Sequence, residues 1–214
     1  MNREESRATK IRIYMVVMIV MSVLFMDQWI KWMVKTRMYM HERIHVFDWF
    51  YLFFTENKGF AFGLSVSDTH FLALFRIVAV AVLGYYLYIV VKRRFPLGYV
   101  ACISFVLAGA LGNVIDNALY GMIYSESTPF SIATVVPWGE GYAGFLQGRV
   151  VDMFYFPLIE TDWPDWMPFV GGDHFIFFSP IFNFADAAIS CGGIALLLFY
   201  HRFLTDKQKE SEHK

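Results

Sequence analysis

The stretch FNFADAAISCGG, from Phe182 to Gly193, opens the last long apolar run of the chain. Asn183 and Asp186 are three residues apart, so a helix places both polar side chains on one face. An ionised Asp well inside a bilayer costs about 2.5–3.5 kcal/mol on insertion scales. The sequence therefore predicts that this carboxylate is either compensated by a partner or used in chemistry.

The composition of the chain is typical of an integral membrane protein. Of its 214 residues, 57% are hydrophobic and only 17% are charged, whereas soluble domains carry about 25% charged residues. The net charge of -1 and the lack of a basic tract among aromatic residues give no reason to expect nucleic-acid binding. Cys102 and Cys191 lie in apolar runs, and the common metal, nucleotide and serine-hydrolase motifs are missing, so we expect no disulfide, metal or cofactor.

Four apolar runs predict a membrane-embedded α-helical fold in which residues 1–214 form one domain. The expected transmembrane helices cover about 11–34, 71–91, 97–117 and 181–200. The first run is too long for a signal peptide, and no small-residue cleavage site follows it. A small β-sheet is expected over 43–64, with its turn at Glu56–Gly59, and long loop insertions are expected over 118–148 and 153–179.

The distribution of Lys and Arg predicts the orientation in the membrane. Basic clusters precede the first helix, separate the second from the third, and follow the fourth: Arg3, Arg7, Lys10 and Arg12; Lys92, Arg93 and Arg94; Arg202, Lys207 and Lys209. Between residues 118 and 179 Arg149 is the only basic residue among seven acidic ones. We therefore expect both termini on the cytoplasmic side, and the sheet and the long loop on the outer, periplasmic side.

Two polar motifs belong to the first half of the chain. In DQWIK (27–31), Asp27 and Lys31 are one helical turn apart and can form a salt bridge, or alternatively contact a substrate. In NKGFAFG (57–63), Asn57 and Gly59 belong either to a tight turn or to a binding site. Arg76, early in the second helix, is expected to extend to the outer headgroups.

Two further motifs lie near the predicted outer surface. GALGNVID (109–116) repeats the N-x-x-D spacing, so Asn113 and Asp116 can face Asn183 and Asp186 across small residues that let helices approach closely. The same groups could instead only hold the helices together. GRVVD (148–152) ends on Asp152, which in so acidic a loop is most simply a solvated side chain.

Two carboxylates held close in an apolar site share a proton, because both cannot ionise easily. One then takes a proton from water while its protonated partner polarises a scissile carbonyl, as in aspartic proteases. Asp116, Asp152 and Asp186 are all candidates, and periodicity alone does not select two of them.

Together, the five motifs DQWIK, NKGFAFG, GALGNVID, GRVVD and FNFADAAI resemble those of the bacterial lipoprotein signal peptidase family, signal peptidase II, in the family's order. The resemblance implies an inner-membrane aspartic endopeptidase that removes the signal peptide of prolipoproteins carrying diacylglycerol on the lipobox cysteine. It implies that Asp152 and Asp186 are the catalytic pair. We expect a monomer without a cofactor, although the sequence itself does not determine the oligomeric state. Supporting or substrate-binding roles fall on Asp27, Lys31, Asn57, Gly59, Asn113, Asp116 and Asn183.

The chain departs from the family pattern in two ways. Asn117 follows Asp116 where the family usually has Arg. The positive charge that could stabilise Asp116 is therefore either absent or supplied by another residue, with Arg149 as a candidate. The two insertions are also longer than is common in the family. From the residues alone, a small transporter or ion-conducting protein and a non-catalytic membrane scaffold remain alternatives, because intramembrane Asp and Asn also mark ion paths.

Overall fold

A computed structural model of the chain describes residues 3–57, 69–157, 159–170, 172–177 and 180–205. Its helices and strands are given in chain order: α1 (Arg3–Arg37), β1 (Arg43–Phe47), β2 (Phe50–Asn57), α2 (Thr69–Lys92), α3 (Leu97–Ile115), a π-helical turn (Asp116–Tyr120), α4 (Gly121–Ile123), β3 (Val150–Tyr155), β4 (Ile159–Asp162), β5 (His174–Phe177), β6 (Ile181–Phe182), α5 (Phe184–Phe199) and α6 (His201–Thr205). The membrane-embedded helical fold with a small antiparallel sheet is as predicted.

Three helices of the described residues are long and apolar enough to cross a membrane, over Glu5–Arg37, Phe71–Lys92 and Leu97–Ile123. The fourth apolar helix, α5, has 16 residues. At 1.5 Å per residue it is about 24 Å long, which is less than the roughly 30 Å of a hydrocarbon core. The four predicted apolar helices are present, but the predicted count of four transmembrane spans is not confirmed, since three helices of the described residues reach spanning length.

The predicted fourth helix over 181–200 begins too early. Ile181 and Phe182 form strand β6, because they pair with Tyr155 and Phe154 of β3. The third helix also differs from its predicted end at residue 117: α3 stops at Ile115, and the chain continues through the π-helical turn. Long-range strand pairing, which no local pattern reveals, sets the first of these boundaries.

The sheet has the strand order β1-β2-β3-β6, and all of its strand pairs are antiparallel. The predicted turn at Glu56–Gly59 is wrong in its first half, because Glu56 and Asn57 remain in β2 and pair with Val151 and Val150. The β1–β2 turn instead lies at residues 48–49. Gly59 and the rest of the 57–63 motif after Asn57 lie outside the described residues.

The two insertions have different structures. Residues 118–148 complete the π-helical turn and α4 and then run irregularly, with isolated bridges between Tyr124 and Val135 and between Thr128 and Ser131. The segment 153–179 is less of a loop than predicted, because it contains the end of β3 and the antiparallel pair β4–β5. A segment that was expected to be loop therefore supplies the end of one strand of the sheet and a separate two-stranded pair.

Helices α3 and α5 pack closely through glycines. A Cβ at Gly109 would lie 2.2 Å from the carbonyl oxygen of Ala185, and one at Gly192 would lie 2.7 Å from the carbonyl oxygen of Cys102. Only glycine lets the two backbones approach to this distance, as small residues do in membrane helix pairs. This close contact brings the N-terminus of α5 beside the end of α3.

We predict opposite effects for two adjacent glycines of α5. Gly192→Ala should destabilise the protein by about 1–3 kcal/mol, because the new methyl group overlaps the α3 backbone. Gly193→Ala is the matched control: no atom lies within 4 Å of its Cβ position, so stability should be unchanged or slightly higher. Thermal unfolding in detergent measures both. Equal melting temperatures would contradict the close α3–α5 packing.

Candidate active site

The N-terminus of α5 is built by the N-x-x-D motif itself. Asn183 is the N-cap: its side-chain oxygen accepts a hydrogen bond from the backbone N–H of Asp186 at 2.8 Å. In return, the Asp186 carboxylate accepts the backbone N–H of Asn183 at 3.4 Å. This reciprocal arrangement is a capping box. It holds Asp186 in the first turn of α5, where the helix dipole favours a negative charge.

Strand β3 places Asp152 against this helix end. Asp152 pairs with Thr55 of β2, and two residues later Phe154 pairs with Phe182, the residue before Asn183. The Asp152 side chain is 4% exposed, so the expectation of a solvated loop residue is wrong. Its Oδ1 accepts a hydrogen bond from Nδ2 of Asn183 at 2.7 Å.

Two amides connect Asp152 to Asp186. Asn183 Nδ2 donates its second hydrogen bond to Oδ1 of Asn113 at 3.1 Å, and Asn113 Nδ2 donates to Oδ1 of Asp186 at 2.8 Å. The two N-x-x-D helices therefore face each other as expected. Of the three candidate acids, Asp152 and Asp186 are held at the two ends of this amide bridge.

Asp152 is a strongly perturbed acid. Burial, followed by the nearby negative charge of Asp186, raises the pKa of Asp152 from its ordinary 3.8 to about 7. Asp186 is only partly buried and accepts hydrogen bonds on both carboxylate oxygens, from Asn113 and from Asn183. Near neutral pH, the buried member of the pair, Asp152, can thus carry a proton.

A buried ionic cluster lies directly beside the amide bridge. Lys31 is fully buried, and its Nζ lies 2.9 Å from Asp27 Oδ2, 2.8 Å from Asp116 Oδ2 and 3.0 Å from Asn113 Oδ1. The predicted Asp27–Lys31 salt bridge is therefore present, and Asp116 is its third member. An ammonium group has three donors, and all three are used here.

Backbone groups complete the cluster. Asp27 Oδ1 accepts the N–H of Ala185 in α5 at 2.9 Å, and Asp116 Oδ2 accepts the N–H of Val151 in β3 at 3.2 Å. A Cβ at Gly112 would come within 2.6 Å of the Asp27 carboxylate, so this glycine provides the space that the carboxylate occupies. The cluster therefore fixes α1, α3, β3 and α5 to one another.

Sequence reasoning quoted Gln28 within its motif but gave it no role. Its Nε2 donates to Asp116 Oδ1 at 2.9 Å and to Asp27 Oδ2 at 3.1 Å, and its Oε1 accepts from the Tyr120 hydroxyl at 3.1 Å. Gln28 thus bridges both carboxylates that surround Lys31. Gln28 lies within the 27–31 motif. Periodicity alone, however, does not distinguish a side-chain amide that bonds to two buried acids from one that faces solvent.

A second buried ion pair was missed entirely. Lys35, one turn after Lys31, is fully buried and forms a short salt bridge with Glu56 of β2. It also donates to the Ser127 hydroxyl at 3.1 Å. The regular spacing of residues 27, 31 and 35 was the available signal, since residues four apart share one helix face. This pair ties the end of α1 to the sheet and to the 118–148 insertion.

Two arginines make contacts that the sequence did not predict. Arg149 does not contact Asp116; its guanidinium bonds to Glu56 at 3.4 Å and to Glu126 at 3.0 Å. Arg76, expected to extend to the outer headgroups, is half-buried and donates to Oδ1 of Asn117 at 2.5 Å. Helix α2 thus supplies a guanidinium to the residue that follows Asp116 in the chain. Asn57 is exposed at the end of β2, paired with Val150, two positions along the strands from the Thr55–Asp152 pair.

Helices, an attached sheet and a cluster of buried carboxylates at one end of the helices define a membrane-embedded helical protein with an acidic site. A family model described as Signal peptidase (SPase) II matches residues 19–202. A lipoprotein signal peptidase of Porphyromonas gingivalis is 47% identical over 188 residues, covering 86% of this chain and 81% of that protein. Another, from Leptospira biflexa, is 35% identical over 178 residues and covers 82% of both chains.

Two solved structures of bacterial membrane enzymes, determined by the in meso method, have the same fold. Their TM-scores are 0.58 and 0.56 at 22% and 23% identity, with 90% and 86% of this chain covered and 90% of each of those chains. The chain belongs to the signal peptidase II family. It is accordingly a peptidase of a bacterial membrane.

We predict that Lys31→Met strongly destabilises the fold. Without the ammonium, Asp27 and Asp116 face each other in a buried site, and breaking such a cluster costs about 3–5 kcal/mol. The control is Lys10→Met, an exposed position on the same helix, which should leave stability unchanged. Chemical or thermal unfolding in detergent compares the two. Equal stability of both variants would show that Lys31 does not compensate these carboxylates.

Proposed function

We propose that this chain is an aspartic endopeptidase in which Asp152 and Asp186 activate water together. The observation that carries the proposal is the amide bridge: Asn183 and Asn113 hold the two carboxylates at one site, one buried and one partly open. Two carboxylates that differ in environment in this way are suited to act as an acid and a base.

The substrate class follows from family membership. We propose that the chain removes the signal peptide from prolipoproteins, cleaving before a cysteine that carries diacylglycerol. An acylated substrate requires apolar surface, and the sheet provides aromatic side chains close to the site. Phe182, next to Asn183, stacks on Phe156 at 5.5 Å between ring centroids, and Trp49 lies 5.9 Å from the same ring with 61% of its surface exposed.

Each step of the proposed reaction is a proton transfer between the pair and the substrate. Asp186 takes a proton from water as the water oxygen bonds to the scissile carbonyl carbon, and Asp152 gives its proton to the carbonyl oxygen. The resulting gem-diol collapses when Asp186 returns its proton to the departing amide nitrogen and Asp152 recovers a proton from a hydroxyl group. The carbon–nitrogen bond breaks, and both acids regain their starting states.

The basic residues support a proposed location of the site relative to the membrane. Arg12 donates to the carbonyl oxygens of Arg94 and Phe95, so the N-terminal part of α1 and the α2–α3 turn share one end of the helices. Asp152 and Asp186 belong to the other end. With the basic end in the cytoplasm, both termini are cytoplasmic and the peptidase site is periplasmic, in the inner membrane. We expect the protein to act as a monomer.

The packing beneath the site does not favour an ion path. Val23, Ala108 and Ala188 form a buried aliphatic cluster, with Ile19 and Val20 packed against it. A conducting pathway would need polar groups or water to continue through this layer. The buried charged side chains of the described residues lie instead at the carboxylate end of the helices, as a hydrolytic site at one membrane face requires; they are Asp27, Lys31, Lys35, Asp116 and Asp152.

We predict that Asp152→Asn and Asp186→Asn each reduce cleavage of a diacylglyceryl-modified prolipoprotein at least about 10³-fold, because each removes a proton-transfer group. Asp48→Asn is the control, since its side chain is fully exposed in the β1–β2 turn. Cleavage is followed with purified protein in detergent, and melting temperatures establish that each variant is folded. A chelator should not change the wild-type rate. Wild-type activity in either active-site variant would refute the dyad.

The raised pKa of Asp152 predicts a pH limit on the alkaline side. The folded protein keeps Asp152 protonated up to about pH 7, so kcat/KM should fall as the pH rises through 7 and the general acid is lost. Infrared spectroscopy should detect a protonated carboxyl at pH 5 that disappears by pH 9 and is missing in Asp152→Asn. If Asp152 is already ionised at pH 5, the assignment of acid and base is wrong.

A further inference from the structure

A groove of about 450 Å³ separates α1 from α2 at the end of the helices opposite the carboxylate site. Its walls are two apolar helix faces at helical spacing: Ile13, Val16 and Val17 on α1, and Gly84, Leu87 and Val91 on α2. Cavities of this size hold elongated apolar ligands. The groove is partly open, and both of its helices are long and apolar enough to cross a membrane.

Gly84 creates the deep part of the groove. A Cβ built at this position has no atom within 4 Å, so the missing side chain leaves space rather than allowing close packing. This differs from Gly109 and Gly192, where a Cβ would overlap the neighbouring helix. Within the described part of the chain, no residue therefore closes the gap between α1 and α2 at the level of Gly84.

The mouth of the groove is basic. Lys92 and Arg94 line it, and the Lys92 ammonium lies 5.7 Å from the ring centroid of Tyr88, which also lines the groove. Arg12 lies beside this end and donates to three backbone carbonyls, those of Ala8, Arg94 and Phe95. Because these acceptors are uncharged, they do not neutralise the positive charge of Arg12. Among the side chains that the structure describes, Glu5 is the acid at this rim, and it pairs with Arg94 at 3.2 Å. The rim retains a positive balance.

From this arrangement we infer that the α1–α2 groove is a binding site for one acyl chain of an anionic phospholipid, whose phosphate is held by Lys92 and its basic neighbours. Apolar walls with a cationic rim match the two parts of such a lipid. Basic side chains near the membrane surface attract anionic headgroups, with an effect of about fivefold in affinity for each charge. This site is separate from the peptidase site and does not depend on the mechanism proposed for it.

Native mass spectrometry of the delipidated full chain in detergent tests the inference. Phosphatidylglycerol and phosphatidylcholine with identical acyl chains are the probes, and we expect phosphatidylglycerol to bind at least fivefold more tightly. Gly84→Leu fills the groove and should weaken phosphatidylglycerol binding at least tenfold. The matched control is Gly193→Leu, which adds the same side chain where no atom lies within 4 Å of the Cβ position, and it should bind as the wild type does.

A surface variant keeps the test decisive if Gly84→Leu does not fold. Lys92→Gln should weaken phosphatidylglycerol binding about fivefold and leave phosphatidylcholine binding unchanged. Equal affinity for the two lipids would overturn the anionic specificity. Undiminished binding to folded Gly84→Leu, or equal losses in both leucine variants, would overturn the location of the site.

Discussion

The buried ammonium of Lys31 is the constraint on which the arrangement of the carboxylate site depends. An isolated charge in a medium of low dielectric constant is very costly, and it is tolerated only when its donors are satisfied and opposite charge is close. Lys31 meets both conditions, with Asp27, Asp116 and Asn113 at 2.8–3.0 Å. These partners come from two helices, and their carboxylates also accept hydrogen bonds from backbone N–H groups of α5 and β3. The contacts that stabilise the Lys31 ammonium therefore position four separate elements.

The same constraint orients the amides between the two catalytic candidates. Asn113 Oδ1 accepts from Lys31, so the NH₂ group of Asn113 must point the other way, toward Asp186. Asn183 uses its oxygen to cap α5, so both of its amide hydrogens remain for Asn113 and Asp152. Neither amide can flip without losing a bond to a buried partner. Lys31 thus acts on Asp186 through Asn113, without contacting the site of chemistry.

The sequence predicts those features that depend on short spacings. Apolar runs identify the helices, four-residue spacing identifies the Asp27–Lys31 pair, and N-x-x-D places Asn183 and Asp186 on one face, which the structure extends to a capping box. The position of Asp152 was not predictable from local pattern, because it depends on the pairing of β3 with β2, about a hundred residues earlier. The same pairing keeps Glu56 and Asn57 in an extended strand, although the residue types at this position predicted a turn. Choosing among three acids likewise required knowing that Lys31 binds Asp116.

Asn117 explains how the long 118–148 insertion coexists with this arrangement. Its backbone carbonyl accepts the N–H of Gly148 at 2.9 Å, and its side-chain amide donates to the carbonyl of Gly148 at 2.7 Å. The insertion therefore leaves and returns at the same point. A Cβ at Gly148 would lie 2.1 Å from the carbonyl oxygen of Asp116, so only glycine lets the returning chain come so close. Asp152 follows four residues later, at a place fixed by these contacts rather than by the length of the insertion. The side-chain oxygen of Asn117 also accepts a hydrogen bond from Arg76, so the residue that departs from the family pattern both closes the insertion and binds the guanidinium of α2.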